Sequence, residues 1–171
     1  MTSNLERFAR TVIVGNGGSG KSWLAERLAA ALSTSATDLD EIHWLPGGFN
    51  VRRDPAAAVE MVRTKAAEDR WVIEGVYGWL AKEALPRATS LVWLDVPIDE
   101  CIANVEARGL RRGGDKAAFA ALIEWVADYN VRTNPNSRIA HERAFDAFAG
   151  RRAKIASRLE MAALLNCVGA S

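Results

Sequence analysis

A chain of 171 residues, 49% apolar and 25% charged, has the size and composition of one soluble domain with a real core. A formal net charge of +1 argues against a surface built for broad, nonspecific nucleic-acid binding, so nucleic acid is not an expected partner. Cys101 and Cys167 stand far apart, and with two histidines at unrelated positions they make no zinc site; both read as small apolar residues of a reduced, intracellular protein.

Residues 1–10 are polar, lack the apolar run of a signal peptide and read as a lead-in to the first strand. No stretch approaches the ~20 apolar residues of a membrane span, so the expected location is the cytoplasm, with no membrane contact. Thr11-Val12-Ile13-Val14 is a β-branched run that reads as a buried strand. It leads into Gly15-Asn16-Gly17-Gly18-Ser19-Gly20-Lys21-Ser22, which fits G-x-x-x-x-G-K-[ST] at every fixed position. Leu24, Leu28, Ala31 and Leu32 then recur at helical spacing.

Residues 36–42 predict a short second strand carrying Asp38 and Asp40, and residues 43–49 an aromatic stretch with a turn at Pro46-Gly47. Asp54-Pro55 starts a helix that runs to about residue 68. A third strand over 70–75 ends in Glu74-Gly75, a short helix follows near 79–85, and a fourth strand covers 90–96. A helix from Pro97 and Asp99 ends at Gly109, where a basic glycine loop, 110–116, begins. Further helices are expected around Phe119 to Val126, over 139–148 and over 159–165, with a fifth strand at 153–157. Strands alternating with helices imply an α/β domain with a parallel sheet covered on both faces and a ligand edge beyond the C-terminal strand ends.

The glycine loop is a phosphate cradle. Gly15, Gly17, Gly18 and Gly20 let backbone N–H groups close on a polyphosphate, with Asn16 and Ser19 between them, and the start of the next helix adds its positive end. Lys21 supplies a point charge for the β- and γ-phosphates, and the Ser22 hydroxyl is a Mg²⁺ ligand. Trp23 follows directly and is counted with the nucleotide site, although its ring, like that of Trp71, reads as packing. ATP and Mg²⁺ are therefore the expected cofactors.

Asp38 and Asp40 alternate along a strand and face opposite ways unless the strand has already ended, leaving at most one for Mg²⁺ or base chemistry and the other to hold a substrate hydroxyl or cap a loop. Glu74 and Asp95 compete for the second acid near Mg²⁺; Glu74 is preferred because Asp95 precedes Val96-Pro97 and a helix start. Arg108, Arg111 and Arg112 among flexible glycines suit a lid that stabilises transferred charge. Trp44, Phe49, Tyr77 and Trp79 follow strands two and three and offer flat faces to a base or another planar substrate. His43 reads as a substrate contact or a loop histidine, and His141 sits on a helix far along the chain; neither has a visible nucleophile partner.

These motifs, in this order, resemble an adenylate-kinase-like P-loop family described as DNA topology modulation (FlaR-related) proteins. The residues that carry the likeness are the P-loop, Asp38-Leu39-Asp40 with Trp44 and Pro46-Gly47, residues 71–77, and residues 91–97. The resemblance implies a three-layer nucleoside-monophosphate-kinase-like fold with strand order 2-3-1-4-5, in one domain over residues 1–171 with a lid-like segment at 109–116. It implies that Glu74-Gly75 stands near Mg²⁺, that Arg108 precedes the lid, and that Arg111 and Arg112 lie in it. Asp38-Leu39-Asp40 is also similar to the D-x-D of shikimate-kinase-type enzymes, where the acids serve metal and acceptor hydroxyl. Val76-Tyr77 stand where adenylate kinases carry an arginine, which argues against AMP as acceptor.

The chain thus reads as a phosphotransferase, a monomer or homodimer moving the ATP γ-phosphoryl to a nucleotide-like or small hydroxylated acceptor. Lys21, Asp40, Arg108, Arg111 and Arg112 are its catalytic candidates, and Ser22, Glu74 and Asp38 its metal candidates. A metabolite kinase of shikimate or gluconate type, and an ATP-binding regulator, are the alternatives.

Overall fold

The structure, a computed structural model, describes residues 4–47, 51–109 and 114–169. The β-branched run after the polar lead-in forms β1 (Arg10–Gly15), the centre of a sheet whose other strands are β2 (Ala36–Asp38), β3 (Trp71–Gly75), β4 (Ser90–Leu94) and β5 (Arg151–Ile155). The order is β2-β3-β1-β4-β5 and every neighbouring pair is parallel. Glu74 lies beside Ile13 in the β1–β3 register, and Asp38 beside Glu74 in the β2–β3 register.

The helices are α1 (Asn4–Arg7), α2 (Lys21–Ala31), α3 (Leu39–His43), α4 (Pro55–Ala66), α5 (Gly78–Ala84), α6 (Ile98–Arg108), α7 (Lys116–Ala127), α8 (Arg138–Ala147) and α9 (Arg158–Gly169). Local chemistry starts several of them. Asp54 accepts from the Ala57 N–H with Pro55 at the first helical position, Asp115 accepts from Ala118, and Ser137 from Ala140.

Strand alternation splits the core in two. Ile13, Val72, Val92 and Leu94 face α2, α6 and α9, while Val12, Val14, Trp71, Ile73, Leu91 and Trp93 face α4 and α5. Both sheet faces are therefore covered, and the C-terminal strand ends gather the candidate site.

Several sequence expectations change. The second strand stops at Asp38, because the Asp38 side chain accepts from the Asp40 N–H and caps α3 there. Alternation along a strand therefore does not govern Asp40. The fifth strand begins two residues early, at Arg151; at a sheet edge, Arg151 and Arg152 stay exposed and lie over the rings of Phe8 and Phe145. Cys101 is buried as expected, but Cys167 is exposed on α9. Trp71 is core, whereas Trp23 is a half-buried ring held between the guanidinium groups of Arg27 at 4.1 Å and Arg158 at 3.6 Å. Phe49, Arg111 and Arg112 lie outside the described residues.

Candidate active site

The loop between β1 and α2 is shaped by glycine where nothing else fits. Gly18 has φ +76°, and a Cβ there would stand 2.2 Å from the Cys101 carbonyl oxygen; Gly20, at φ +93°, opens α2. Asn16 is the internal brace. Its Oδ1 accepts from the Gly17 N–H and its Nδ2 donates to the Val126 carbonyl, while its own carbonyl accepts from Ser19 Oγ at 2.8 Å and Lys21 Nζ at 2.6 Å. Asn104 donates to the Gly18 carbonyl, tying α6 to the loop; Arg108, the last residue of α6, lies one turn further along that helix.

Glu74 belongs to the sheet face that packs on α2, and Ser22 Oγ donates to its Oε1 at 2.6 Å. Asp38 is its same-face neighbour on β2. Burial first, then the charges of Glu74 and Asp40, push the Asp38 carboxyl up to about 7, against the Asp40 N–H and Lys21, which pull it down. Among the described residues, no group of three or more His, Cys, Asp or Glu side chains is placed to hold a metal ion by itself. Mg²⁺ does not need one, since it keeps several waters and takes one or two carboxylates plus phosphate oxygens. Ser22, Glu74 and Asp38 are a hard oxygen set of that kind, and their crowded negative charge is what a divalent cation relieves. The residues fit the ion.

Next to this cluster stands an aromatic wall. The His43 and Tyr77 rings stack at 4.2 Å and 26°, and Trp44 and Trp79 meet His43 edge-on at 4.6 and 5.8 Å. Trp44 Nε1 donates to the Tyr77 hydroxyl at 2.9 Å. Burial first, and the facing Asp40 carboxylate second, push the Tyr77 phenol up. Burial and the Arg52 charge hold the His43 imidazole below its usual range, against the pull of Asp40. His43 Nδ1 is buried and has no hydrogen-bond partner among the described residues.

Asp95 stands apart from this group. It accepts two bonds from Arg138, at 2.9 and 2.7 Å, and pairs with Lys154 at 3.0 Å. Burial alone would raise its carboxyl, but those hydrogen bonds and charges outweigh it and hold the group below its usual range.

Two residues that the sequence reading left aside also matter. Arg132 lies over the Trp125 ring at 3.9 Å, and Trp125 itself lines Gly17 of the loop. Arg132 donates to the Trp125 and Asn136 carbonyls, and its Nη2 is buried with no partner among the described residues. His141 is buried, with its ring bonded to the Val76 carbonyl beside the aromatic wall. Both signals were weak in sequence: His141 meets the Val76 carbonyl 65 residues away, and Arg132, whose own partners are local, reaches the phosphate loop only through Trp125.

No helix among the described residues is long and apolar enough to cross a membrane. No protein-family model matches the chain. Solved structures share its fold, two kinases among them. A gluconokinase from Sinorhizobium meliloti superposes with a TM-score of 0.58 at 15% identity, over 96% of this chain and 91% of that one. A shikimate kinase from Bacteroides thetaiotaomicron gives 0.54 at 19%, over 92% and 94%. In sequence, the chain is 32% identical over 148 residues to the shikimate kinase of Corynebacterium glutamicum, covering 74% of this chain and 88% of that protein. With a phosphate loop, carboxylates at neighbouring strand ends and this relative, the chain belongs to the shikimate kinase family and is a small-metabolite phosphotransferase.

Proposed function

We propose that the protein transfers the γ-phosphoryl group of ATP to a hydroxyl of a small hydroxylated acid, with shikimate as the first candidate. The observation that carries this reading is the Ser22–Glu74 hydrogen bond. It joins the phosphate-loop helix to the strand end beside Asp38, so phosphate, metal and acceptor groups meet at one edge. The loop amides and Lys21 hold the phosphates, and Ser22, Glu74 and Asp38 hold Mg²⁺. Held there, Mg²⁺ would supply positive charge against the negative charge of the phosphoryl group being transferred.

Asp40 orients the acceptor hydroxyl and takes its proton as the oxygen attacks the γ-phosphorus. The bond to the bridging β,γ-oxygen breaks, and ADP leaves. Arg108, with Arg111, Arg112 and Arg132, supplies charge for the equatorial oxygens. Positioning and electrostatics do nearly all of this work. Arg52, close enough to bear on His43 and lying over the Trp44 ring at 5.8 Å, is a cation available to an acceptor carboxylate.

ADP release is measured with ATP-Mg²⁺ and shikimate, gluconate or AMP as acceptor. Turnover with a hydroxy acid and none with AMP is expected. Turnover with AMP alone would replace this reading by a nucleotide kinase, and ATP binding without turnover on any acceptor would favour a regulator.

A further inference from the structure

The turn that follows Glu74-Gly75 carries the aromatic wall. Within it the Gly78 N–H donates to the Val76 carbonyl at 2.9 Å, and Tyr77 between them has φ −74° and ψ 83°, an inverse γ-turn. The same carbonyl makes a second hydrogen bond, with His141 Nε2 at 2.9 Å. A carbonyl only accepts, so Nε2 carries the proton and Nδ1 is a bare acceptor. The Tyr129 hydroxyl donates to Nδ1 at 2.6 Å, and its oxygen accepts from Trp93 Nε1 at 3.3 Å. Trp93, Tyr129 and His141 are each 1% exposed. Burial holds the imidazole down at about 4, so the neutral ring that this order of donors requires is the one present at pH 7.

The Val76 carbonyl already has its γ-turn partner, so the histidine is not needed to satisfy it. The extra bond fixes direction instead. The turn is also seated hard against the segment before α8, since a Cβ on Gly78 would stand 2.2 Å from the Pro135 carbonyl oxygen. Held this way, Tyr77 stacks on His43 and turns its hydroxyl to Trp44 and Asp40.

We infer that His141 is a positioning residue for the acceptor site: by clamping the Val76 carbonyl it fixes the γ-turn that aims Tyr77 at Asp40. The Trp93–Tyr129 pair orients the clamp, so β4, the segment after α7, α8 and the acceptor wall are locked together by one buried hydrogen-bond chain. This inference rests on the reading of the Asp40 side as the acceptor site.

The chain has two tyrosines, so 3-fluorotyrosine labelling gives two ¹⁹F resonances, from Tyr77 and Tyr129. His141→Gln keeps an N–H within reach of Val76, and His141→Asn falls short of it. The Tyr77 resonance is expected to shift and broaden in His141→Asn and to stay near its wild-type position in His141→Gln. With shikimate as acceptor, the KM for shikimate rises about fivefold to tenfold in His141→Asn, as expected for one lost hydrogen bond. The KM for ATP stays within twofold, and His141→Gln recovers most of the loss. An unchanged Tyr77 resonance in His141→Asn, or both KM values rising together, would overturn the inference. If the wild type does not turn over shikimate, the proposed acceptor fails while the fluorine signal still decides the clamp. If His141→Asn does not fold, Tyr129→Phe takes its place: it removes the donor that orients the ring and leaves one resonance, that of Tyr77, which must shift for the inference to stand.

Discussion

Asp38 is the residue on which the site's electrostatics turn. Its carboxyl stands at about 7 in the folded chain against an ordinary 3.8, so the folded state holds a proton there that the unfolded state releases. That contribution to stability is present at low pH and is lost as pH rises from about 4 through about 7. Asp38→Asn, which keeps a helix-capping side chain, is expected to match the wild-type Tm near pH 4 and to exceed it increasingly up to pH 8. Equal melting points at pH 8 would contradict the crowded-carboxylate account.

Glu74 and Asp95 part in the same experiment type. Glu74→Gln is expected to lower kcat by about 10²-fold, comparable to losing one transition-state donor. Asp95→Asn weakens the bonds to Arg138 and Lys154, costing about 1–2 kcal/mol of stability in denaturant melts with kcat within twofold. The reverse pattern would move the metal acid to Asp95. This choice was more legible in the sequence than the helix-start argument used to make it. Glu74 shares its strand face with Val72, and Val72 packs with Leu24 of the loop helix. Asp95 continues the alternation of Leu91 and Trp93, which belong to the opposite face. His141 and Arg132 had no such local sign, because the Val76 carbonyl lies 65 residues from one and the loop glycine Gly17 meets the other only through the Trp125 ring.

Among the elements, the strand–loop–helix around residues 10–31 was readable because β-branched run, glycine spacing and apolar helical period agree. The helix starts at Asp54, Asp115 and Ser137 carry their own caps. Misreadings fell at sheet edges, where β2 is short and capped and β5 opens with two arginines; edge strands lack the two-sided burial that makes a strand apolar. The phosphate loop has little room for change. Gly18→Ala places a Cβ 2.2 Å from a backbone oxygen in a left-handed conformation. Loss of roughly 2 kcal/mol or more of stability is expected, together with ATP binding, read by thermal melts with and without ATP-Mg²⁺. Full retention of both would contradict the tight seating of the loop against α6.

At the scale of the molecule, alternation of strands and helices gave the parallel sheet, and its C-terminal edge gathers loop, carboxylates and aromatics. The acceptor was not legible in the sequence, since its specificity rests on rings and cations brought together from the segments after β2 and β3. The most direct test of phosphoryl transfer to a hydroxyl is ³¹P NMR of the reaction of ATP-Mg²⁺ with shikimate. A new phosphomonoester resonance appearing in step with ADP, and slowed at least about 10²-fold by Lys21→Ala, is the predicted result. ADP with inorganic phosphate alone, or no consumption of ATP beyond the Lys21→Ala control, would contradict it.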